Sequence, residues 1–251
     1  RVASFFTRGC NAASPTQYGS TVAIGNVVVS PSEFMPRLFA ENGRLLDSQG
    51  RITLDTPEAL RALENYRETY SYSDRTINDF WKNALEGFAD GTAAMTVVFI
   101  NYASHILNSQ MSRIAGKLGF APVPGGKPLL GGGVIGIAQS CTCPAAACKF
   151  LEWLYADLVA PVFTMLGGLS PCRSAYSNRD ISEQYPWLST ARKSFPTAQR
   201  RSNSTYYQNF SELQLETILA AHVQQAVLGV CSPEEALKQA QEDCNRYFQP
   251  W

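Results

Sequence analysis

The chain has 251 residues, with 21 Lys plus Arg against 21 Asp plus Glu and a formal net charge of +0. At roughly 150 residues per domain this length suits one large domain or two lobes, and the balanced charge leaves no overall field to draw it onto phosphate-rich partners, which argues against a general nucleic-acid binder. Hydrophobic residues at 45% and charged residues at 17% place it among globular chains, and its longest apolar runs, Thr21 to Val29 and Ala93 to Ile100, fall short of the roughly 20 residues of a membrane helix.

Arg1 opens directly into Val2, Ala3 and Ser4 without an initiator Met or a basic n-region, so the chain reads as a piece of something longer. The β-rich stretch Thr21 to Val29 is predicted as a strand or as a strand-to-helix turn. Ser32 to Ala40 reads as a short helix closed by Glu41, Asn42 and Gly43. Asp55, Thr56 and Pro57 then cap a helix whose apolar positions Leu60, Leu63 and Tyr66 share one face. A further helix is predicted from Ile77 to Phe88, stopping at Asp90 and Gly91. Thr92 to Phe99 and Leu118 to Val123 read as strands, and Gly131 to Gly133 as a glycine-rich loop feeding a strand that runs to Ala138. Pro144 to Leu158 is predicted as an amphipathic helix, Ser174 to Asn203 as irregular or short helical structure, Ser211 to Leu228 as a helix, and Ser232 to Phe248 as a last helix opened by a Ser cap and Pro233. Alternation of helical and strand periods is the mark of an α/β protein.

The seven cysteines have irregular spacing and make no disulfide framework. Cys141, Cys143 and Cys148 invite a metal reading, but a second ligand pair is missing, so no metal is expected; Cys148 reads instead as a small buried residue on the helix from Pro144. Gly126 and Lys127 run into Pro128, which offers neither N–H nor hydroxyl to a phosphate. Dinucleotide, serine-hydrolase and zincin signatures are absent. The two histidines, His105 and His222, read as structural residues, and no catalytic residue or cofactor is expected.

Order is the informative feature. Phe39 to Gly43, Leu46 with Asp47, Leu54 to Ala59, Phe88 to Met95, Gly119 to Gly125, Gly131 to Gly133, Ala145 to Leu151 and Gly167 to Pro171 follow one another as they do in the extracellular solute-binding proteins of carbohydrate ABC importers, which the chain resembles over about residues 18 to 250. The resemblance implies a type II periplasmic-binding-protein-like α/β fold, mainly the C-terminal lobe plus a segment of the N-terminal lobe. Residues 1–114 would form the first part of the C-terminal lobe, 115–170 a hinge-crossing segment belonging to the N-terminal lobe, and 171–251 the final helices of the C-terminal lobe; the opening of the N-terminal lobe is not among these residues.

The implied function is sugar or oligosaccharide binding in a cleft that hinge closure buries. Partners would be a carbohydrate and the transmembrane permease subunits, with the protein monomeric and extracellular, periplasmic or lipid-anchored at the cell surface through a segment outside this sequence. Aromatic rings beside amides suit a sugar, because the ring stacks on C–H faces while amides take hydroxyls. On that ground Phe99, Asn101 and Tyr102 are expected at the carboxyl end of a strand facing the cleft, and Tyr206, Tyr207, Asn209 and Phe210 before the long helix. Gly132, Gly133 and Glu33 are added by resemblance; Phe99 and Phe210 read equally as core. Two rivals stand beside this: a cytoplasmic sugar-sensing domain fused to an upstream DNA-binding or signalling domain, and a transferase using His105 or His222.

Overall fold

A computed structural model describes residues 1–25, 27–76, 81–166, 168–177 and 179–251. The helices in chain order are α1 Val2–Phe5, α2 Val29–Ala40, α3 Pro57–Ser71, α4 Trp81–Ala89, α5 Ala103–Leu107 and α6 Pro144–Leu154. They continue with α7 Val159–Met165, α8 Ser174–Ser177, α9 Arg179–Gln184, α10 Pro186–Ser194, α11 Glu212–Val227 and α12 Pro233–Tyr247. Residues 77–80, which open the predicted helix before Gly91, lie outside the described residues.

Two compact units divide the chain: Arg1–Val98, Val123–Leu129 and Thr197–Trp251 form the first, Phe99–Pro122 and Leu130–Pro196 the second.

In the first unit α2, α3, α11 and α12 pack on one another. Local chemistry explains each. The Thr56 hydroxyl accepts the Ala59 N–H at 3.2 Å, and Pro57 fills the first position, where no N–H is needed. Ala59, Ala62, Leu63, Tyr66 and Tyr70 recur at helical spacing and are all buried. Ser211 and Ser232 cap α11 and α12 in the same way, accepting from Gln214 N–H at 3.3 Å and Glu235 N–H at 3.1 Å. The apolar stripes Leu215, Leu219, Val223 and Ala236, Leu237, Ala240 face the same core as Phe34, Met35 and Leu38 of α2. Asn42, at φ 63, and Gly43, whose N–H reaches Leu38 C=O at 2.9 Å, end α2 where the turn was predicted. Thr56→Ala is expected to cost about 1 kcal/mol by removing one cap bond, measured as a lower urea midpoint at unchanged m; no change would mean the cap contributes nothing.

The second unit centres on Ala103, Ala160, Ala175, Tyr176, Trp187, Leu188 and Ala191. Its α6 forms where the amphipathic helix was predicted, yet none of its residues is buried; Phe150 and Trp153 are 55% and 56% exposed. Cys148 is exposed on that helix rather than buried.

The strand expectations need correction. Among the described residues pairing is limited to isolated bridges, of which Tyr18 with Ala93 and Thr21 with Thr96 are parallel. They rest on Tyr18 N–H to Thr92 C=O at 3.0 Å and Thr21 N–H to Met95 C=O at 2.9 Å. Val29 begins α2 instead of ending a strand, because Ser30 Oγ turns back to Gly25 C=O at 2.8 Å and Pro31 pre-sets helical φ. Residues 131–140 are exposed throughout and carry no bridge, with Val134 at 99%. A strand needs a continuous ladder to a neighbouring backbone; residues 18–21 and 93–96 meet only at single bridges, and residues 131–140 have neither bridge nor cover.

Candidate functional site

The start of α2 gathers polar side chains at burial levels that demand partners. Ser30, Ser32 and Glu33 are all buried on its first turns. Glu33 pairs with Arg37 one turn on, Nη1 to Oε2 at 2.9 Å, and the Arg37 guanidinium lies 4.7 Å above the Tyr66 ring. Tyr66 donates its hydroxyl to Ala23 C=O at 2.5 Å. Burial pushes the Glu33 carboxyl above the usual carboxylate range, opposed by the Arg37 charge and hydrogen bond. The Tyr66 hydroxyl is held well above its usual range, again first by burial.

Beside this core, Arg201 joins α2 to α11. Its guanidinium pairs with Glu216 through Nη1, donates from Nη2 to Ser32 Oγ at 3.2 Å and lies 3.9 Å from Glu212. Glu216 is 3% exposed, and burial raises its pKa against the pull of Arg201; Glu212 is raised for the same reason. The Arg201 side chain keeps 26% of its surface open. One guanidinium, two carboxylates and a serine hydroxyl therefore share one partly open site whose formal charge is negative when both acids are ionised. Such a set exchanges hydrogen bonds with hydroxyl groups and repels anions. Gln224 of α11 also donates to Gly25 C=O, tying the loop before α2 to the same helix.

Apart from Glu33, the expected site residues lie outside the Arg201 cluster. Tyr207 is 9% exposed; its ring packs 5.6 Å from Phe248 and stacks 6.5 Å from Phe210, and its hydroxyl accepts the Ile52 N–H at 2.9 Å. Phe210 lies 5.7 Å from Phe248, which is 1% exposed. Tyr207 and Phe210 are thus part of an aromatic cluster under the last helix. Asn209 clamps the chain end, donating to Tyr247 C=O at 2.8 Å and accepting from Gln249 N–H at 3.0 Å. Tyr206 keeps 36% exposure. Glu33 belongs to the Arg37 pair, and no hydrogen bond or ring contact joins it to residues 206–210 among the described residues.

Phe99, Asn101 and Tyr102 belong to the second unit. Ile100–Tyr102 is a 3-10 turn that leaves Asn101 exposed and Tyr102 half-buried. The Phe99 ring lies so close to Gly131 that a Cβ there would approach it to 3.1 Å, whereas Gly132 and Gly133 face open space. Close approach at the glycines is therefore confined to Gly131. Among the described residues no three His, Cys, Asp or Glu side chains gather as metal ligands.

Arg201, Glu212 and Glu216 were missed by sequence reasoning. Their signal is the register of α11: Glu216 stands one turn before Ala220 and two before Val223 on the buried stripe, and a carboxylate there requires a cation partner.

Residues 12–190 match the model of the bacterial extracellular solute-binding protein family. The chain belongs to that family. It is 29% identical over 91 residues to the Escherichia coli K12 ABC transporter periplasmic-binding protein YcjN, covering 36% of this chain and 20% of that protein. The fold is that of type II periplasmic-binding proteins. Maltose-bound MalE3 of T. maritima superposes with a TM-score of 0.76 at 22% identity, over 90% of this chain and 60% of that one. A solute-binding protein of Agrobacterium radiobacter K84 in complex with ribitol gives 0.76 at 21% identity, over 98% and 63%. The chain thus spans less than two thirds of these relatives' own lengths.

Proposed function

We propose that this chain is the larger part of a solute-binding component of an ABC import system, and that its solute is a neutral sugar or polyol. The observation that carries the reading is the Arg201 cluster, whose guanidinium, carboxylates and serine hydroxyl match a polyhydroxyl ligand and whose excess negative charge opposes an anionic one. The ligands of the two superposed structures, maltose and ribitol, are of that neutral class.

In this reading residues 1–114 and 171–251 belong to the C-terminal lobe and 115–170 to the N-terminal lobe. The exposed apolar side chains Val134, Trp153, Leu158 and Leu166 of residues 115–170 are consistent with a surface that packs on another part of a lobe. In the first unit Tyr206 keeps an open edge, with the Tyr207 ring edge-on to it at 5.0 Å, and is assigned to the solute; in the second unit Asn101 is exposed and Tyr102 half-buried. Transport work is conformational: solute favours the closed form only through contacts that are better there, and the closed form engages membrane permease subunits outside the cytoplasm. No step breaks a covalent bond.

The test is thermal unfolding with millimolar maltose, ribitol, glutamate or glycerol 3-phosphate, since a ligand that binds only the native state raises the midpoint by mass action. Maltose or ribitol should raise it, and Arg201→Lys, which keeps the charge but loses the fork, should abolish the rise. A rise with either anion and none with the neutral compounds overturns the reading.

A further inference from the structure

At the other end of α11, roughly 16 Å along the axis from Glu216 at 1.5 Å per residue, lies a depression of about 490 Å3. It is lined mainly by Arg67, Tyr70, Ser71, Arg75, Val227 and Leu228. Arg67 and Ser71 stand one helical turn apart on α3, and Arg75 follows the end of that helix with its guanidinium 5.8 Å from the buried Tyr70 ring. Leu228 stands on the rim, 57% exposed, and Gly229, at φ 79, turns the chain after it.

Neither arginine has an ion-pair partner among the described residues. The adjacent acid, Asp74, has its Oδ1 engaged by the Thr76 N–H at 2.9 Å and the Thr76 hydroxyl at 2.7 Å. Nor do the arginines serve the helix dipoles in the usual position, since the last turns of α3 and α11 contain no basic residue. Among the described residues Arg67 and Arg75 are therefore two exposed guanidiniums without a carboxylate partner, Arg75 resting over the Tyr70 ring.

We propose that this depression docks an acidic, aliphatic segment of a partner protein. Carboxylates of the segment pair with Arg67 and Arg75, and an aliphatic side chain between them covers Leu228. Charge complementarity selects the occupant: a basic or neutral segment leaves both guanidiniums unpaired, and an inorganic anion leaves the apolar rim bare. The surface is independent of the Arg201 cluster and of the solute, so the inference does not rest on the sugar reading.

Fluorescence anisotropy tests it directly, with a fluorescein-labelled octapeptide of alternating Glu and Leu at low ionic strength and matched Gln/Leu and Lys/Leu peptides for comparison. The Glu/Leu peptide should bind this chain and the Gln/Leu peptide should not. Arg67→Glu with Arg75→Glu should weaken Glu/Leu binding by about tenfold or more, since two exposed pairs are replaced by repulsion, and should admit the Lys/Leu peptide instead. Leu228→Asp, at an exposed position that does not threaten folding, should weaken binding with both arginines intact. Arg44→Glu, an exposed charge reversal elsewhere in the unit, should leave it unchanged. The proposal fails if the Glu/Leu peptide does not bind, if Arg44→Glu weakens it as much as the double reversal, or if inorganic phosphate binds while Leu228→Asp has no effect, which would define a small-anion site.

Discussion

Replacing Arg201 with alanine is expected to lower unfolding free energy by about 3 kcal/mol at neutral pH, because it strands a buried carboxylate. Glu216, 3% exposed, pairs with that guanidinium, and the Arg201 charge and hydrogen bond are what oppose the burial that raises its pKa. The pH dependence follows in sign. A carboxyl whose folded pKa lies above its unfolded value binds more protons in the folded state, so its ionisation reduces stability as pH rises through that interval. Without Arg201 the folded pKa climbs further, and the loss is greatest at neutral pH and shrinks on acidification as Glu216 takes up its proton. Urea denaturation at pH 7 and pH 5 checks this, and an equal loss at both would refute it. Arg201→Met with Glu216→Leu should recover most of the stability, since apolar isosteres of a buried pair carry no desolvation cost.

Tyr207→Ala is expected to cost about 3 to 5 kcal/mol, the range for emptying an aromatic core position. Tyr207→Phe isolates the hydroxyl: Ile52 is 4% exposed, and its N–H loses the acceptor it has at 2.9 Å, at a cost of about 1 to 3 kcal/mol. Sequence alone argues for the opposite role, a stacking partner for a sugar. The two roles separate in one experiment, denaturant midpoint against affinity for ribitol. An unchanged midpoint with weakened affinity would return Tyr207 to the binding surface and remove it from the core.

Legibility followed the range of the interaction. Caps and turns are written within a few residues of each other, so Thr56 with Pro57, Ser211, Ser232 with Pro233, and Asn42 with Gly43 marked helix ends that the structure retains. Strands were overcalled for the converse reason. Val134, Ile135 and Ile137 have the apolar, β-branched character of a buried strand, yet they are exposed here, because a strand exists only where another backbone receives its hydrogen bonds. Tyr207 and Phe210 show why aromatic residues are hard to place from sequence, since both pack with Phe248. Aromatic residues before α11 suggested stacking, but amphipathic rings satisfy a core and a binding face equally well, and local sequence holds nothing to separate the two.

By itself the sequence determined the capped helices α3, α11 and α12, the turn that ends α2 and the ordered motifs that mark a solute-binding protein, because each of these depends on neighbours in the chain. Tertiary structure alone decided which polar groups meet. Arg201 reaches Ser32 across 169 residues and Tyr207 reaches the Ile52 N–H across 155. Such pairs form because packing α2 and α11 together, and folding the chain end over residues 47–52, takes these groups out of water and leaves each the other as its partner.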